Sequence, residues 1–158
     1  MFARGAWIVA TCHAMDFSHL QQLKVTDANT ADYVFHNIPG EPVLQVKYAG
    51  ESNKPYFNEL LRKAEHLAKR KAKINVGMIQ DNRERDTVLY PRHIVVGWSK
   101  PPVDKNGVPA PYTRENVEAF LKAIPTEEFD ELRDFCRDPY NFRDEVDTAS
   151  AAGNSPTG

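Results

Sequence analysis

Between Pro55 and Lys73, apolar residues recur at intervals of three and four: Phe57, Leu60, Leu61, Ala64, Leu67 and Ala68. Side chains spaced this way stand on one face of an α-helix, so the segment reads as a long amphipathic helix. Pro55 suits a first helical turn, where its missing N–H is not needed, and Ser52 or Asn53 is placed to cap it. Arg62, Lys63, His66, Lys69, Arg70 and Lys73 fall largely off the stripe, which makes the helix basic as well. A helix with one apolar side folds stably only against a second layer, and the rest of the chain must supply it.

The segment just upstream offers that layer. Asp32–Asn37 and Val43–Tyr48 are rich in β-branched and aromatic residues. In the second run Leu44, Val46 and Tyr48 alternate with Gln45 and Lys47, the period of a half-buried strand. Between the runs, Ile38-Pro-Gly-Glu-Pro42 supplies turn chemistry, so a β-hairpin is expected over 32–48. Downstream the pattern weakens. Asp81–Asp86 reads as a charged loop, and a helix over Val88–Tyr90 is expected to stop before Pro91. His93–Trp98 is a short apolar run that periodicity assigns equally to a buried strand or a buried helix.

Prolines punctuate the remainder. Lys100–Pro111 cannot be helical, and Asn106-Gly107 is its tightest turn. Thr113 is placed to cap a short helix whose face is Val117, Phe120, Leu121 and Ile124, ended by Pro125. Thr126 is placed to cap another, with Glu127 and Glu128 in its positive first turn and Phe129, Leu132, Phe135 and Cys136 as its apolar face. Asp138-Pro139 stops that helix, and Tyr140 and Phe142 read as a closing latch. The fold class that results is α+β: a small antiparallel hairpin or sheet from the first half, packed against three or more helices. Trp98, Phe120, Leu121, Phe129, Leu132 and Phe135 are expected in its core.

With 158 residues the chain has room for one domain with a core of its own. The division expected is an N-terminal arm over 1–31, a single domain over 32–142 and a disordered tail over 143–158, where small polar residues leave too little apolar surface to offset ordering. The run Ala6–Ala10 is too short for the core of a signal peptide, which argues against export, and no run is long enough to span a membrane. Met15-Asp-Phe-Ser-His also reads like a protein start, so residues 1–14 are either an unpacked arm or lie upstream of the true beginning.

The net charge is only -2, which directs no global field at nucleic acid. It is unevenly spread, however. Residues 53–93 hold ten Lys and Arg against five Asp and Glu, and residues 94–158 hold seven against twelve. The basic helix and the acidic carboxyl-terminal helices are thus expected to attract one another, within the fold or between copies.

No chemistry-bearing motif survives inspection. Cys12 and Cys136 lack paired spacing, which fits a reducing compartment. His13, His19, His36, His66 and His93 share no metal-ligand spacing, so no metal or cofactor is expected. His66 reads as solvated surface, His93 as a hydrogen-bonded, partly buried residue, and Cys136 as core. Asp104–Gly107 lacks the register and distal glutamate of a calcium loop. Phosphate-binding and nucleophile-elbow motifs are missing, and the chain is read as non-enzymatic. The cluster Lys69-Arg-Lys-Ala-Lys73 could neutralise phosphates, but without interleaved aromatics nucleic acid is not the expected partner. The residues read as partner-binding are Lys69, Arg70 and Lys73 on the basic helix and Glu127, Glu128 and Glu131 on the acidic one.

One layout is more telling than any single residue. Ile94-Val-Val-Gly-Trp-Ser99 is followed by Val103-Asp-Lys-Asn-Gly-Val-Pro-Ala-Pro-Tyr-Thr-Arg-Glu-Asn-Val117, then by Phe120-Leu121, Ile124-Pro125, Phe129 and Phe135, with Gly50–Tyr56 before the basic helix. Over residues 32–142 this resembles tail assembly chaperones and similar small tail-module proteins of tailed bacteriophages. The resemblance implies a protein that coats the tape-measure protein in the host cytoplasm during assembly and is displaced before the tail is finished. It leaves a virion component, such as a capsid decoration, connector or tail protein, as the alternative.

Overall fold

The computed structural model describes residues 14–69 and 76–143. Its elements run β1 (Thr30–Val34), β2 (Val43–Lys47), α1 (Lys54–Lys69), α2 (Val76–His93), β3 (Val95–Lys100), α3 (Arg114–Ala123) and α4 (Thr126–Arg137). Short 3-10 helices, Ser18–Leu23 and Pro139–Phe142, stand at either end. The fold is α+β: a three-stranded antiparallel sheet in the order β1-β2-β3, packed against helices.

The hairpin forms where alternation placed it. Tyr33 stands opposite Leu44 and Ala31 opposite Val46. Leu44 and Val46 are fully buried, while Gln45 between them is exposed. Gly40 takes a positive φ of 84° in the turn, a conformation that costs glycine little. The undecided run at 93–98 resolves as a strand: Val95–Lys100 pairs with β2, so the second half of the chain completes the sheet.

Two expectations fail between the layers. Asp81–Asp86 is not a loop, and Pro91 does not end the helix at Tyr90: α2 is continuous to His93 with Pro91 inside its last turn. Proline removes one backbone bond there, but the next turn still closes, from Ile94 N–H to the Tyr90 carbonyl at 3.0 Å. The helix was hidden because its inner face mixes Asp86 and Thr87 with Leu89 and Tyr90, so no clean apolar stripe announces it.

The core joins Phe35, Leu44, Val46, Tyr56, Leu89, Tyr90, Ile94, Val117, Leu121, Phe129, Leu132, Cys136 and Phe142. Trp98, Phe120 and Phe135 pack against it half-buried. Edge-to-face aromatic contacts tie the layers: Tyr33 to Phe135 at 5.1 Å, Phe35 to Phe120 at 5.3 Å and Tyr90 to Phe129 at 5.6 Å. Thr113 caps α3, its hydroxyl accepting from Asn116 N–H at 3.1 Å. Thr126 does not cap α4. It lies in the first turn behind Pro125, and no side chain caps that end. The closing latch is half as expected: Phe142 is buried, but Tyr140 is 71% exposed, with the Arg143 guanidinium 4.2 Å above its ring.

Candidate functional site

Helices α2 and α4 are bound by a network of charge. Asp86, fully buried, accepts from Arg85 at 2.9 and 3.0 Å through one oxygen and from Arg133 Nε at 2.8 Å through the other. Arg137 lies 3.6 Å away. Asp130 accepts from Arg83 at 2.6 and 3.1 Å and from Arg133 at 3.0 Å. The attraction expected between the basic helix and the acidic helices is therefore met by α2, not by α1. Among the described residues no ion pair joins α1 to α4. These guanidiniums and carboxylates are spent on one another, which makes the network a structural clamp.

Of the residues read as partner-binding, Lys69 is exposed near the end of α1, and Glu127 and Glu131 are exposed on α4. Glu128 is not part of that rim. It is only 8% exposed and accepts from Asn37 Nδ2 at 2.8 Å, tying α4 to the hairpin turn. Arg70, Lys73, Cys12, His13 and the tail after Arg143 lie outside the described residues. His93 behaves as read: half-buried, its Nε2 3.1 Å from Glu59 Oε1, a contact that holds the Glu59 carboxyl below its ordinary value. His66 is exposed. Cys136 is fully buried, and burial pushes its thiol up, away from reactive thiolate.

One open apolar face is on α1, and others lie at Met15, Phe17 and Leu20 and at Ile79. Tyr56 is its buried anchor, stacked toward Tyr90 at 6.0 Å, and Asn53 fixes its foot by donating to the His93 carbonyl at 2.9 Å. Leu60, Lys63 and Glu59 are half-buried on the same side. At about 100° of rotation per residue, the stripe Phe57–Leu61–Ala64–Ala68 stands roughly a quarter-turn round from that packed side. Leu61 is 48% exposed, and Ala64 and Ala68 are exposed with it. The apolar stripe found by periodicity is thus divided: Leu60 packs against the domain's own core, while Leu61, Ala64 and Ala68 are turned away from it.

At its lower end the stripe runs into a groove of about 570 Å³, with Phe57, Leu23, Val25, Tyr48 and Pro139 as apolar walls and Lys24, Glu51, Ser52 and Arg143 among them. Ser52 Oγ and Arg143 Nε are buried there without a hydrogen-bond partner. A second groove of about 550 Å³, between α2 and the α3–α4 junction, is lined by Val88, Leu121, Ile124 and Phe129. Three of its polar side chains are engaged, Arg83 by Asp130, Lys122 by Glu118 and Thr87 by the Glu84 carbonyl, while those of Glu84 and Thr126 face solvent. Among the described residues no three His, Cys, Asp or Glu converge as metal ligands, and no described helix is long and apolar enough to cross a membrane.

The described residues thus form a small α+β domain with a partly uncovered amphipathic helix. Comparison with known families makes the assignment narrower. The family described as YdaY prophage protein matches residues 51–154, well over half of the chain, and the chain belongs to that family. The match takes in α1, α2, β3, α3 and α4, and the β1–β2 hairpin precedes it. It bears out the phage origin implied by the resemblance above. No curated protein matches the chain. No solved structure matches it.

Proposed function

We propose that this chain is a non-enzymatic phage assembly protein that binds the tape-measure protein as a tail assembly chaperone, acting in the host cytoplasm during assembly. The observation that carries the reading is the stripe Phe57–Leu61–Ala64–Ala68, apolar and largely uncovered on a domain whose core is otherwise closed. Amphipathic helices are captured along such stripes. Membership of a prophage family and the layout of residues 94–135 support the phage setting. The engagement of Arg83 and Lys122 in the groove at α2 and the enclosed thiol of Cys136 favour binding over catalysis.

The test is co-expression of the full chain with the tape-measure protein encoded nearby, followed by pull-down at two salt concentrations. A complex that forms, and that is missing from finished particles, is the expected result. Failure to associate, together with recovery of this chain from intact virions, replaces the chaperone reading with that of a structural virion component.

A further inference from the structure

We propose that α1 and the groove at its foot form one docking surface for an acidic amphipathic helix of a partner protein, which seats an apolar side chain in the groove and a carboxylate beside Arg143 and Lys24. This rests on the partner-binding reading and specifies the chemistry of the partner.

Three observations point to that occupant. Phe57 belongs both to the stripe and to the groove wall, so the two are continuous. Ala64 and Ala68 present only methyl groups, which lets a second helix approach closely along the upper half of the stripe. The groove is mostly apolar, yet it buries an unpartnered hydroxyl, Ser52 Oγ, and an unpartnered guanidinium N–H, Arg143 Nε. Those two atoms are enclosed, but the Arg143 side chain as a whole is only half-buried, so its charge still acts on a carboxylate in the groove. Lys24 lines the same groove, so its cations, Lys24 and Arg143, outnumber its one carboxylate, Glu51. Along α1, Lys54, Arg62, Lys63 and Lys69 outnumber Glu59 and Glu65. An acidic helix meets this field favourably, and a basic one does not.

A second copy of this chain is a poor occupant. Pairing α1 with itself sets lysines against lysines. The acidic helix of another copy, α4, has Phe129, Leu132 and Cys136 locked in its own core and cannot offer them. A lipid surface fits less well than a helix, because a flat bilayer fills no groove and two alanines insert little area.

The experiment uses the full chain and a synthetic amphipathic peptide of about 20 residues, leucine-striped with glutamate flanks. A lysine-flanked copy of the peptide and vesicles of phosphatidylglycerol and phosphatidylcholine serve as the comparison arms. Fluorescence anisotropy should show saturable binding of the acidic peptide and weak binding of the basic one. Leu61→Glu should weaken binding by about tenfold or more, since it sets a charge on the stripe. Arg143→Gln should weaken it by about threefold to tenfold and reduce its salt dependence. Val103→Glu, at an exposed site on the 103–109 turn, should leave binding unchanged. Unaltered thermal unfolding of the variants separates lost contacts from lost folding.

Equal binding of both peptides, indifference to Leu61→Glu, or preference for the vesicles overturns the proposal. A Leu61→Glu chain that still holds the tape-measure protein overturns this surface and leaves the chaperone role standing. A chain that binds the acidic peptide through Leu61 but ignores the tape-measure protein does the reverse.

Discussion

Asp86→Asn is the substitution that should do most damage for its size. The carboxylate is fully buried and neutralises Arg85 through one oxygen and Arg133 through the other, at 2.8 to 3.0 Å. The amide keeps the shape, but it removes the charge and turns an N–H₂ group toward a guanidinium. Arg133, whose side chain is 9% exposed, then keeps only Asp130, at 3.0 Å, as a carboxylate partner. Breaking a buried pair from one side costs about 3–5 kcal/mol. At about 2–4 °C per kcal/mol for a chain of this size, Tm should fall by about 6–20 °C. Urea unfolding followed by circular dichroism reads the loss as a shift in midpoint at constant slope. Asp130→Asn is the control: that carboxylate is 37% exposed, and solvent screening should hold its cost to about 1 kcal/mol or less. Replacing Asp86 and Arg133 together with Leu and Met should recover part of the loss, because neither charge is then stranded. A cost for Asp86→Asn below about 1 kcal/mol would refute the clamp as a buried, charge-dependent element.

Other consequences are open to direct measurement. Trp98→Ala should cost about 2–3 kcal/mol, less than for a fully buried tryptophan, since Trp98 is half-buried against Tyr112 at 5.4 Å; in a Trp7→Phe background its emission should lie blue of free tryptophan. Cys136 should resist iodoacetamide at about pH 8 in the folded chain and react on unfolding, as burial raises its thiol. Glu59 is held below its ordinary 4.5 by the hydrogen bond from His93, and Asp130 below its 3.8 by that from Arg83. Both are depressed on folding, so their stabilisation is present above those values and drains away as pH falls through and below them; Glu59→Gln and Asp130→Asn should each flatten the acid limb of the stability curve. Nucleic acid should bind no tighter than the nonspecific range at physiological salt, and a sub-micromolar, salt-sensitive complex weakened at Lys69, Arg70 and Lys73 would contradict that.

The hairpin was legible because one face of β2 is buried and the other wet, so Leu44 and Val46 had to alternate with Gln45. Helices α3 and α4 were legible because Thr113, Pro125 and Asp138-Pro139 mark their ends. The helix α2 was not, since its buried face carries Asp86, whose partners Arg133 and Arg137 lie some fifty residues on; nothing local distinguishes that aspartate from a solvated one. The same long-range pairing explains Glu128, which sits in the pattern of an acidic rim but turns inward to Asn37. Periodicity found the stripe on α1 without revealing that Tyr56, off the stripe, would be the residue that anchors the helix. Arg143 carried no signal and Ser52 only that of a helix cap, because only the fold brings a loop before α1 beside the segment that follows α4.

Whether the chain serves tail assembly is most directly measured by deleting its gene from an inducible prophage, inducing, and imaging the particles while their proteins are identified by mass spectrometry. The account predicts DNA-filled heads without tails from the deletion, rescue by the unaltered chain, and no copy of the chain in purified wild-type virions. Tailed, infectious particles from the deletion, or stoichiometric amounts of the chain in wild-type virions, would contradict it.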